Sequence, residues 1–293
     1  MKDIVVGMGE ALWDMLPEGR KIGGAPANFA YHVTQFGLPG CVVSAVGDDQ
    51  PGKEITGTLT AKGLAHIIEE VPYPTGSVGV KVDQAGVPQY EIKENVAWDN
   101  IPYTARLESL AGCTKAVCFG SLAQRNTASR DTINRFLDAM PDDPDRLIVF
   151  DVNLRQNFYD KDVLHSSMSK CNILKINNEE LATVSDMYGY SGIDFKDACR
   201  RLLDRYGLKA LILTCGVNGS YVFTPEDVSF RPTPNVEVAD TVGAGDSFTA
   251  AFISGILKGK SVAEAHDLAV RTSAFVCTQK GAMPLLPKEL TER

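Results

Sequence analysis

The sequence predicts an α/β layered fold: a mostly parallel central sheet with helices on both faces and a small β-structure outside it. Three observations carry this. Short, nearly continuous hydrophobic runs recur along the chain, as expected of parallel strands covered on both sides. Helix-period segments lie between many of them. One stretch, residues 75–100, breaks the alternation with strand signals and no helix.

The elements follow in order. "DIVVGM" (3–8) reads as the first strand, and a helical pattern covers 26–37. "CVVSAV" (41–46) reads as the next strand, with a helix over 51–62. In the exceptional stretch, "SVGVKVD" and "VPQYEIK" flank "QAG", a hairpin signal. Residues 11–24 are expected to pair with this hairpin and form a lid. "KAVCF", "RLIVFD", "NILKI" and "KALILT" continue the main sheet. Helices are expected at 127–140, 194–206, 246–258 and 262–278, the last opened by a capping box of Ser261 and Glu264. With no internal repeat or long linker, residues 1–293 read as one domain carrying the lid.

Composition removes several function classes. A net charge of −8 argues against nucleic acid and anionic membranes as partners. No apolar run reaches the roughly 18 residues of a membrane helix. Acidic residues enter the N-terminal "MKDIVVGMGEALWDML" too early for a secretory signal. The seven scattered cysteines, with no C-x-x-C pair, read as reduced residues of a cytoplasmic protein. The four histidines lack zinc-site spacing.

Polar residues gather after the strands. Gly9 and Glu10 follow the first, Gly47 and Asp48 the second, and Asp151, Asn153 and Arg155 follow "RLIVF". Asn177 and Glu180 follow "NILKI"; Thr214, Gly216 and Gly219 follow "KALIL". Ligands of open parallel sheets bind outside these strand ends. The segment "VADTVGAGDSFTAAF" (238–252) sets Gly243, Ala244 and Gly245 before Asp246 and a helix. Small residues let backbone amides close on an anion at a helix start. Asp246 there suits a base for an alcohol. A tight turn with a helix-capping aspartate is the other reading of the same residues.

Two motifs mislead. "SGILKGKS" (254–261) approximates a P-loop, but Ser254 replaces its first glycine and it trails a helix. "GMGEAL" (7–12) starts like a dinucleotide fingerprint, but Leu12 replaces the third glycine and no long helix follows.

Taken together, the motifs resemble those of the ribokinase-like, or PfkB, carbohydrate kinases. "DTVGAGDSFTAAF" is similar to the family's C-terminal signature; "GGAPANFAYHVTQFG" (23–37) with "AVGDD" (45–49) resembles the N-terminal one. "NNEE" (177–180) fits N-x-x-E, and "TCGVNGSYVF" (214–223) fits T-x-G-x-x-G. "GEALWDMLP", "VAWDN" and "DVNLR" look most like the fructokinase branch. The resemblance implies a three-layer α/β/α sandwich that transfers the γ-phosphoryl group of ATP to a sugar hydroxyl.

By that resemblance Asp246 is the base, and the amides of Gly243, Ala244 and Gly245 form the anion hole. Asp14, Gly24 and Asn28 match sugar-binding positions, and Arg155 is a candidate for substrate or phosphate. Asn177, Thr214, Gly216 and Gly219 match the nucleotide side. Glu180 matches a group that organises Mg²⁺ through water. Asp240, with "CTQKGAM" (277–283), matches a monovalent-cation region, so K⁺ is a candidate. The lid is expected to cover the sugar and to pair with a second subunit as a homodimer; Trp98 is placed over the sugar or at that contact. Ribose, ketodeoxygluconate or a nucleoside are alternative substrates, and a non-catalytic sugar or nucleotide sensor is the remote alternative.

Overall fold

A computed structural model of the chain describes residues 3–16, 19–82 and 88–292. The predicted "QAG" turn (84–86) lies outside them. The chain opens with β1 (Ile4–Met8), the antiparallel pair β2 (Leu12–Leu16) and β3 (Gly19–Gly23), and α1 (Ala25–Gln35). Then come β4 (Gly40–Gly47), α2 (Gln50–Ala61), β5 (Ala65–Val71), β6 (Gly76–Val82) and β7 (Pro88–Ile92). The middle holds α3 (Ala105–Ala111), β8 (Thr114–Gly120), α4 (Thr127–Ala139), β9 (Leu147–Asp151), α5 (Lys161–Lys170) and β10 (Ile173–Asn177). Next are α6 (Asn178–Tyr188), α7 (Phe195–Tyr206), β11 (Ala210–Thr214), β12 (Ser220–Phe223) and β13 (Val228–Arg231). α8 (Ala244–Leu257), α9 (Val262–Cys277) and α10 (Lys288–Thr291) complete the described elements.

The main sheet has the order β13-β12-β11-β10-β9-β8-β1-β4-β5. From β11 to β5 every neighbouring pair is parallel; β12 and β13 are added antiparallel at one edge. The near-continuous hydrophobicity of these strands follows from burial on both faces. Val6 and Met8 of β1 enter one core, with Phe136 of α4 and Leu202 of α7. Val5 enters the other, with Phe29 of α1 and Phe248 and Phe252 of α8. These are the three layers the alternation predicts. The six predicted helices fall within two residues of the observed ones.

The sequence reading left some elements unassigned. β5 is an edge strand of mixed polarity, AHIIEEV, and lacks the continuous apolar run of its neighbours. α5 reads KDVLHSSMSK, with few apolar residues to mark a face; its N-cap Asp160 accepts the Val163 amide at 2.7 Å.

A second sheet has the order β3-β2-β6-β7. β2 runs parallel to β6, pairing Asp14 with Val78, and β6 runs antiparallel to β7. Residues 97–100, placed in the lid by sequence, instead form a short 3-10 turn packed in the main core. Trp98 is only 1% exposed, and the Arg125 guanidinium stacks 4.1 Å over its ring. It therefore offers no lid surface. Among the described residues no helix is long and apolar enough to cross a membrane.

Candidate active site

The site grows from the start of α8. Gly243 is its N-cap, with φ 79, a left-handed conformation that favours glycine. A Cβ there would also lie 2.6 Å from the Ala282 methyl. No side chain caps this helix. The Ala244 amide reaches the Thr241 carbonyl at 3.2 Å, but no bond described gives the Gly245 and Asp246 amides an acceptor. Open amides and the partial positive charge of the helix end make an anion-accepting corner.

Asp246 sits in the first turn of α8 and accepts a 2.8 Å hydrogen bond from Asn28 Nδ2 on α1. Burial of its carboxyl pushes its pKa up to about 6, and Asp151 adds to the rise. The Asn28 bond, Lys175 and Arg155 oppose it. A base poised near neutral pH is what proton abstraction from an alcohol needs. Asn28 Oδ1 is buried without a partner.

Around this corner lies more charge. Glu10, 4% exposed, is pushed up to about 7 by burial, and Asp246 raises it further; its Oε2 has no partner. Asp14 on β2 is pushed up to about 6 by burial, with Arg155 pulling it down. Arg155 is exposed, and its positive charge pulls down the pKa of Glu10, Asp14 and Asp246 alike. It makes no ion pair among the described residues; its Nη1 donates to the Leu154 carbonyl at 3.0 Å. Asn153 and Gln156 beside it hold left-handed φ values of 42 and 49. Gly24 caps α1 at φ 115, where a Cβ would collide with the Glu10 carbonyl. This close approach brings the start of α1 beside Glu10. A cavity of about 10 Å³, lined by Glu10, Asp151 and Asp246, lies beneath.

The strand ends further along supply the rest. Asn177 and Thr214 pair in register at the ends of β10 and β11. Asn177 Oδ1 accepts the Glu179 and Glu180 amides, each at 2.9 Å. Glu180 in turn accepts the amides of Asn177 at 2.9 Å and Leu154 at 3.0 Å. Gly216 opens a 3-10 turn that Gly219 closes, and the Gly219 amide donates to Thr233 Oγ1 at 3.1 Å. Asp240 accepts the amides of Val242 and Gly281, each at 3.0 Å, tying its loop to residues 277–283. No group of three or more His, Cys, Asp or Glu among the described residues could hold a metal ion. A larger cleft of about 450 Å³ lies between α6, α7 and β11–β12, lined by residues such as Leu181, Tyr190 and Tyr221, and holds none of these carboxylates.

Residues 18–289 match the pfkB family carbohydrate kinase domain. The chain belongs to the pfkB family of carbohydrate kinases. It is 29% identical to a fructokinase of Klebsiella pneumoniae, covering 96% of this chain and 95% of that one. It is 27% identical to an ATP-dependent 6-phosphofructokinase of Thermoanaerobacterium thermosaccharolyticum, over 97% of this chain and 90% of that one. The fold matches a double-mutant fructokinase of Vibrio cholerae, solved with fructose, ADP and potassium, at a TM-score of 0.80, 22% identity and coverage of 98% and 96%.

In this pfkB kinase the structure brings Asp14, Gly24, Asn28, Arg155, Asp246 and the 243–245 turn into one neighbourhood. Asn177, Glu180 and Thr214 gather at the adjoining strand ends. Sequence reasoning missed Lys175. Its signal was a lone lysine inside the apolar run "NILKI", where a buried ammonium demands a partner.

Proposed function

We propose that this sugar kinase phosphorylates fructose with ATP, using Asp246 as the base. The observation that supports this best is the juxtaposition of an uncapped helix start with a buried carboxylate oriented by Asn28. Asp246 takes the proton of the sugar hydroxyl as its oxygen attacks the γ-phosphorus. The bond from that phosphorus to the bridging oxygen breaks, and ADP leaves with the electron pair. The amides of Gly243, Ala244 and Gly245 hold the charge that gathers on the phosphoryl oxygens. Asp14, Gly24 and Asn28 hold the sugar, since a carboxylate and an amide each pair with several hydroxyls. Asn177, Thr214, Gly216 and Gly219 form the nucleotide side.

Mg²⁺ fits this site only in company with nucleotide phosphates. The protein offers no three-ligand cluster, and both Glu180 oxygens already accept backbone amides. Glu180 would reach the ion through water, which Mg²⁺ retains readily. When bound, the ion neutralises phosphate charge. Asp240 and the carbonyls of 277–283 are the proposed K⁺ region. The second sheet is proposed as the cover over the sugar and as the contact between two copies, with Met15 of β2 47% exposed.

A second reading rests on Arg155. An exposed guanidinium with no ion pair among the described residues suits a sugar carrying an anionic group, such as a sugar acid or sugar phosphate. ADP release measured with fructose, fructose 6-phosphate, ribose, ketodeoxygluconate and nucleosides decides. Preference for fructose supports the first reading. Preference for an anionic sugar, lost in Arg155→Met, replaces it with the second. No turnover with any acceptor removes both.

A further inference from the structure

Lys175 stands in the middle of the site without a role in the mechanism above. Its strand neighbours Leu174 and Ile176 are buried and apolar, and Lys175 itself is 8% exposed. Its Nζ donates to Asp151 Oδ1 at 3.1 Å, and the two residues are register partners on β10 and β9. An ammonium has three donors, and this bond uses one. A Cβ built on Gly245 would lie 3.1 Å from Nζ. The ammonium therefore lies directly against the turn that opens α8.

As a stabilising device this pair is a poor choice. Two buried charges lose their hydration, and an apolar pair of similar volume often serves as well or better. The helix end beside it is itself positive, so the lysine adds like charge to a place that already repels cations. Asp151, Glu180 and Asp246 together outweigh the effect of burial and raise the Lys175 pKa, which keeps the ammonium charged. Two positive features side by side make sense where a strongly anionic group must be received.

We propose that Lys175 is a further catalytic residue, its ammonium held by Asp151 so that it contacts the phosphoryl oxygens during transfer from nucleotide to sugar. This rests on the reading of the Asp246 corner as the transfer site. Lys175 donates hydrogen bonds and keeps its three protons throughout; the hydroxyl proton goes to Asp246. The group in flight then meets helix amides on one side and a fixed cation on another, a surrounding that stabilises charge spread over its outer oxygens. Gly245 becomes intelligible too, since any side chain there would stand against the ammonium.

The test compares wild type with Lys175→Met/Asp151→Asn, which removes both charges and leaves no lone buried carboxylate. Thermal unfolding, kcat, KM for each substrate, and binding of ADP with and without aluminium fluoride are measured. Aluminium fluoride supplies a mimic of the phosphoryl group in flight. The expected result is a folded protein whose ATP affinity stays within about threefold while kcat falls at least about 100-fold. Aluminium fluoride should tighten ADP binding in wild type and not in the variant. Turnover within about tenfold of wild type, or equal tightening in both, overturns the proposal and leaves a structural ion pair. If the double variant does not fold, Lys175→Gln is read in the same way. If wild type turns over no acceptor, the transfer reading fails by itself; the aluminium fluoride comparison still decides Lys175.

Discussion

Two of the helices that begin beside this site, α6 and α8, begin in opposite ways. α6 is closed: Asn177 accepts its first amides, Glu180 returns the favour to the Asn177 amide, and Glu179 adds negative charge to the first turn. α8 is open: Gly243 offers no side chain, and no side chain caps it. A helix end that satisfies itself contributes stability and has little left for a ligand. An end left open forgoes the ~1 kcal/mol a cap contributes and keeps its amides for an anion. The difference separates the scaffold from the chemistry within one edge of one sheet.

The comparison is sharpest at Asp246. Asp246→Asn should lower kcat by about 10³ or more while ATP binding persists, because only the base is lost. Steady-state kinetics beside nucleotide titration checks this, and turnover near wild type would remove Asp246 from the mechanism. Gly243→Ala should come next. The methyl meets Ala282 and the left-handed φ disfavours it, so roughly 2 kcal/mol of stability and most of the activity should go. Urea unfolding alongside kcat reads both.

Asn177→Ala should reverse the balance. Loss of the cap costs about 1 kcal/mol, seen in urea unfolding, with a rise in KM for ATP and a kcat within severalfold of wild type. A collapse of kcat instead would show that the closed end takes part in the chemistry.

The smallest expected effect is on pH. As the proposed base, Asp246 must be ionised, so kcat should fall as pH drops through about 6. Stability of the ligand-free protein should move the other way. Glu10, Asp14 and Asp246 all have raised pKa values, so the folded state binds more protons than the unfolded one. Their contribution is present at low pH, below the unfolded values near 4, and is lost as pH rises through about 6 to 7. Glu10→Gln should flatten part of that slope in unfolding midpoints taken from pH 5 to 8. An unchanged slope would place Glu10 outside this effect.

Much of the main sheet was legible because its strands are apolar on both faces, a pattern few other structures produce. Six of its helices were legible from an apolar face, such as Ile133, Phe136 and Leu137 on α4. What escaped was decided by tertiary contact. β5 at the edge needs only one neighbour and carries a weaker pattern. Trp98 read as a lid residue because it follows the β signals, yet its ring is taken up by Arg125 and the core. In the site, Asp246 and its glycines stood out as a local motif. Lys175 did not, because its meaning depends on Asp151 of the adjacent strand and Gly245 of a distant helix, and neither distance is written in linear order.

The bond between Asn28 and Asp246 spans 218 positions of chain. On the ribosome, Glu10, Asp14 and Asn28 are synthesised long before the residue they must meet. On the proposed reading, a nascent chain ending anywhere before α8 holds half a sugar site and no base. On that reading the chemistry waits for α8, which packs beside α1 in the same layer of the sandwich.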